Sequence, residues 1–159
     1  MRAPLLLLAV LTTSAQAQGQ PPAVYFQAGG EGLGLSANLD VGVTQSIRLR
    51  GGAGFSWVVV TVPVTASYLL SHKNSTIEIG AGATVLIFPE DTNKNDNSLT
   101  HFFERAIFLE GQGTKVAGVG ILGYRYQAPG GALLRLTFTP LVLRGQVRAW
   151  GGLSFGFSI

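Results

Sequence analysis

A chain of 159 residues with a formal net charge of +3, no cysteine and a positive mean hydropathy has room for one domain and none for a disulfide framework. Only 12% of its residues are charged, about half the share usual in a soluble domain. The basic residues fall one or two to a segment, which excludes a nucleic-acid-binding patch and leaves no nucleic acid among the expected partners.

The chain begins "MRAPLLLLAVLTTSAQAQ". Arg2 supplies a positive start, Leu5 to Leu11 an apolar run too short to span a bilayer, and Ala15-Gln16-Ala17 a small-x-small cleavage site. Residues 1–17 therefore read as a cleaved signal peptide, and residues 18–159 as the exported domain.

Eight segments of period-two alternation follow, divided by turn residues. They run over about 23–29, 33–43, 46–57, 60–70, 76–88, 116–127, 131–143 and 149–159. In the second, Leu33, Leu35, Ala37, Leu39, Val41 and Val43 share one face, opposite Ser36, Asn38 and Asp40. The third sets Ile47, Leu49, Ala53, Phe55 and Trp57 against Arg48, Arg50 and glycines. The fifth sets Ile77, Ile79, Ala81, Ala83, Val85 and Ile87 against Glu78, Gly80, Gly82 and Thr84. A polar insert, 89–115, containing "PEDTNKNDNSLT", precedes the sixth segment. There Ala117, Val119 and Ile121 fall on the face of Arg125, which requires either a bulge or an apolar layer inside the fold. "APGG" marks a tight turn before the seventh segment. In the last, Leu153, Phe155, Phe157 and Ile159 alternate with Gly152, Ser154, Gly156 and Ser158.

A soluble sandwich would turn a charged face to water, and here the face opposite the apolar one is mostly Gly, Ser and Thr. The pattern instead fits an all-β fold: an eight-stranded antiparallel transmembrane β-barrel of meander topology, apolar side chains facing lipid and small or polar ones filling the lumen. Strands of about ten residues cross the hydrocarbon when tilted, and an eight-stranded interior is filled by side chains. With the C-terminus in the periplasm, connections 29–32, 57–60, 89–115 and 143–148 lie outside the cell and 43–46, 70–76 and 127–131 inside. Outer-membrane barrels have the same asymmetry of long outer loops and short inner turns. Trp57, Phe88 and Trp150 then fall at outer strand ends and Tyr68, Tyr124 and Tyr126 at inner ends, as two interfacial girdles.

"GYRYQAPGGALLRLTFTPL" and "WGGLSFGFSI", with "GLGLSANLD" and "IEIGAGATVL" upstream, resemble the small outer-membrane β-barrel proteins of Bacteroidota-type bacteria. The resemblance implies an eight-stranded barrel in a Gram-negative outer membrane and lends no activity, since most members have no assigned function. It also makes the last strand similar to the alternating C-terminal signal read by the barrel-insertion machinery, with Ile159 where an aromatic is common.

Asp40, Arg48, Arg50, Glu78, Arg125 and Arg135 form the inward charged set. Charges in a narrow lumen are costly unless paired, so a salt-bridge network that plugs the barrel is expected. A narrow anion-favouring channel lined by arginine is the alternative. Catalysis would need a base beside a nucleophile, and the only histidines are His72 in a turn and His101, in the insert with Ser98, Thr100 and Glu104. A lipid-modifying enzyme is thus a further alternative, but no enzyme is expected, nor any metal or cofactor. The expected role is structural or interactive, through the outer loops. Its partners are outer-membrane lipid, the insertion machinery and an extracellular partner not specified by the sequence.

Overall fold

The structure, a computed structural model, describes residues 21–56, 59–72, 74–88 and 113–159. Their eight strands are β1 (Ala23–Gly29), β2 (Gly34–Gly42), β3 (Ile47–Ser56), β4 (Val59–His72), β5 (Ser75–Phe88), β6 (Gly113–Gln127), β7 (Ala132–Leu143) and β8 (Gln146–Ser158). Each pairs antiparallel with the next, and β8 returns to β1 from Ala23↔Ser158 to Gly29↔Gly152, closing a barrel in meander order. Closure leaves no open edge between first and last strands. The signal peptide (1–17), Trp57 and most of the 89–115 insert, His101 included, lie outside the described residues.

Turn chemistry fixes the registers. Between β2 and β3 the Thr44 hydroxyl accepts from the backbone N–H groups of Ser46 and Ile47, at 3.2 and 2.9 Å. "APGG" closes the β6–β7 hairpin, with Gly131 at φ 84° and its N–H on the Ala128 carbonyl at 2.9 Å. Arg144 and Gly145 both take positive φ between β7 and β8, the left-handed pair favoured in two-residue hairpins. These connections put two kinds of end on the barrel. One carries the β2–β3, β4–β5 and β6–β7 turns; the other carries the 89–112 segment and is called the long-loop end.

Burial is the reverse of a water-soluble protein's. Phe26 is 71% exposed and Leu136 61%, while Arg135 and Glu78 are fully enclosed. A band of large apolar side chains circles the outside, among them Leu153, Phe155, Phe157 and Ile159 of the closing strand. Phe155 and Phe157 meet edge to face there, with ring centroids 5.4 Å apart.

Inside, two layers are stacked. At the long-loop end Leu33, Val59, Leu86, Phe88, Ala117, Val119, Leu141 and Leu143 form an apolar cluster, with Trp150 packed against it. This decides between the two readings of the sixth segment. β6 pairs with β5 without interruption from Gly113 to Tyr126, and its register with β7 is the same on both sides of a gap opposite Pro140, which has no N–H to offer the ladder. There is no bulge; the inward apolar residues line an internal layer.

Three positions correct the sequence reading. Phe88 (8% exposed) and Trp150 belong to this interior layer and not to an outer aromatic girdle. Their place at strand ends suggested the girdle, but their phase, with Leu86 and with Gly152, sends them inward. Leu33, expected on the outward face of the second strand, precedes β2 at φ 59° and is buried inside. Tyr68, Tyr124 and Tyr126 do lie outward near the short-turn end.

Candidate functional site: the lumen charge cluster

Below the apolar layer the lumen holds a chain of ion pairs built from five strands and one turn. β2 and β3 set Asp40 opposite Arg50, and β6 and β7 set Arg125 opposite Arg135. Two like charges directly across a ladder repel, and each arginine here is drawn to a different carboxylate. Arg125 Nη1 donates to Asp40 Oδ2 at 2.7 Å, and Arg48 Nε to Asp40 Oδ1 at 2.8 Å. Arg135 grips Glu78 with a fork, Nε to Oε2 at 2.7 Å and Nη2 to Oε1 at 3.2 Å. Arg50 Nη2 joins the two halves, 2.7 Å from Glu78 Oε1 and 3.6 Å from Asp40 Oδ2.

The turn's contribution had no counterpart in the sequence reading. Between β1 and β2 a 3-10 turn, Gly30–Gly32, dips into the barrel and touches β1, β2, β3, β4, β7 and β8. Its Glu31 accepts from Arg50 Nη1 at 3.0 Å, Arg135 Nη1 at 3.2 Å and Gln27 Nε2 at 2.9 Å. Its backbone is held by hydroxyls from facing strands: Thr84 Oγ1 donates to the Glu31 carbonyl at 2.9 Å and Thr61 Oγ1 to that of Gly32 at 2.8 Å. Burial pushes the Glu31 carboxyl up, but Arg135 and Arg50 outweigh it and hold the group below the usual carboxylate range. Tyr25 lies beneath, its ring 5.5 Å from the Arg50 guanidinium carbon and 5.8 Å from that of Arg135.

A charge balance would have pointed to Glu31. Among residues outside 89–112, the acids are Glu31, Asp40 and Glu78. Four inward arginines facing only Asp40 and Glu78 leave an excess of two charges; with Glu31 the excess is one. The dip itself needs glycine. Gly29 and Gly30 take positive φ, and a Cβ on Gly152 would stand 2.6 Å from the backbone of Gly30.

The described residues hold no group of three or more His, Cys, Asp or Glu that would suit a metal ion. The side chain of His72, at the end of β4, is outside the described residues, as is His101. What the cluster does chemically is pair four enclosed arginines with three enclosed carboxylates.

No protein-family model and no curated protein matches the sequence. Among solved structures the chain is similar to the N-terminal β-barrel domain of Pseudomonas aeruginosa OprF, with a TM-score of 0.60 and 14% identity over 89% of this chain and 100% of that one. It is also similar to the de novo designed TMB2.3, with a TM-score of 0.54 and 13% identity over 91% and 98% of the two chains. The outer membrane protein Ail of Yersinia pestis gives a TM-score of 0.52 and 8% identity over 88% and 99%. At these identities the likeness is one of fold: a closed eight-stranded barrel of the outer-membrane type.

Proposed function

We propose that the chain is an integral outer-membrane protein, exported by its N-terminal signal, whose barrel is a closed anchor for what the long-loop end presents outside the cell. The observation that carries this reading is the inverted burial, with aromatic and branched side chains outside and four arginines inside. Water would oppose such a surface, and contiguous apolar area on this scale marks contact with lipid or a partner. The likeness to OprF and Ail supports the same location.

The role that follows is structural or interactive. The short-turn end faces the periplasm, the closing strand with Leu153, Phe155, Phe157 and Ile159 addresses the insertion machinery, and segment 89–112 is the place to look for an extracellular partner. Carbonate washing of membranes is the first test. The protein should stay in the membrane fraction and migrate differently on a gel before and after heating; release without detergent would overturn the reading.

A closed lumen is tested separately, in planar bilayers. The wild-type protein should be silent. Discrete anion-selective openings that disappear in Arg48→Ala would replace the closed barrel with the narrow channel, for which the single excess positive charge of the lumen is the favouring observation.

A further inference from the structure

Among the described residues, six of the seven charged side chains in the lumen come from strands, where leaving would mean tearing a ladder. Glu31 is the exception. It sits on a three-residue turn bordered by Gly29 and Leu33, and Gly29, Gly30 and Leu33 have positive φ. Its backbone is tied by two threonine hydroxyls and a Leu33-to-Gly30 bond within the turn. The donors around its carboxylate all belong to the rigid wall: Arg50 on β3, Arg135 on β7 and Gln27 on β1. Two guanidiniums and an amide converging on one carboxylate are what a binding site for a free carboxylate consists of.

The wall also has more polar capacity than Glu31 uses. Arg50 Nε, Gln27 Oε1 and the Tyr25 hydroxyl are all buried and without a hydrogen-bond partner among the described residues. Buried polar atoms left over in this way are the exception in folded proteins and call for a polar neighbour such as an ordered water or ion. With Glu31 removed, Arg48, Arg50, Arg125 and Arg135 would face only Asp40 and Glu78, an excess of two positive charges in an enclosed space.

We propose that Arg50, Arg135 and Gln27, floored by Tyr25, form a carboxylate-binding site in the lumen, that Glu31 is its tethered occupant, and that a small external carboxylate takes the same place when the Glu31 carboxylate is removed. Fit favours a planar monoanion of the size of formate or acetate, because the turn backbone packs against Gly152 and leaves little breadth. The proposal rests on the closed-lumen reading, yet the two fail separately: bilayer recordings of the wild type test closure, and the following experiment tests the site.

Glu31→Ala is refolded in detergent, and the temperature at which it loses its compact gel form is measured in formate and in chloride at equal ionic strength. The midpoint should lie below the wild type's in chloride and climb with formate toward a plateau. Wild type should not respond, and neither should Glu31→Ala combined with Arg135→Gln, which lacks half of the guanidinium pair. A flat Glu31→Ala, an equal response in the double variant, or a Glu31→Ala that folds in neither salt would each overturn the proposal, since refilling the vacated site is its content.

Discussion

Glu78 receives three hydrogen bonds from two arginines in an enclosed lumen, so its value lies less in attraction than in what its absence would strand. Removing one partner of a buried pair costs about 3–5 kcal/mol, because the other charge stays buried. Glu78→Gln should lower the stability read by urea titration in lipid vesicles by that order. The glycines separate just as sharply by address. On Gly152 a Cβ would meet Gly30 backbone atoms at 2.6 Å, whereas on Gly51 it would meet nothing within 4 Å. Gly152→Ala should therefore cost about 1–3 kcal/mol through overpacking and Gly51→Ala almost nothing. Equal losses in the same titration would mean that the turn does not press on β8.

At the scale of the strand, period two was sufficient to read most of the fold. β1 spans the 23–29 anticipated for it, and β8 alternates from Gly152 to its end as its sequence does. Position at a strand end does not by itself place an aromatic at an interface: Phe88 and Trp150 are in step with inward residues. The apolar inner layer had announced itself only in β6, because elsewhere its members are one or two residues at the end of a strand. Glu31 was illegible for another reason. A turn that folds back inside a barrel has no periodicity, and only a count of unbalanced arginines would have pointed to it. The inner layer makes its own prediction: Leu141→Ala should destabilise by about 2–5 kcal/mol, as a buried truncation does, and its outward neighbour Val142→Ala by much less. A similar loss at both positions in thermal unfolding would place lipid and interior on an equal footing and contradict the layer.

For the molecule as a whole, the test is the identity of its solvent. Leu136 stands outward in the middle of β7. In water Leu136→Lys would be nearly neutral, but at the midplane of a bilayer a lysine costs about 2–4 kcal/mol; refolding into vesicles and titrating with urea distinguishes the two. The way the ion pairs span the chain also sets the order of events. Arg125 reaches Asp40 across 85 residues of sequence, and Arg135 reaches Glu31 across 104. Arg48 and Arg50 follow Glu31 and Asp40 closely in the chain, whereas the partners on β6 and β7, Arg125 and Arg135, come late. Only a finished chain, with β8 in hand to seal against β1, can enclose the whole cluster. The cluster thus ties completeness to closure: a product cut short before β7 lacks the Arg135 fork on Glu78 and both strands that complete the barrel, so its edges stay open.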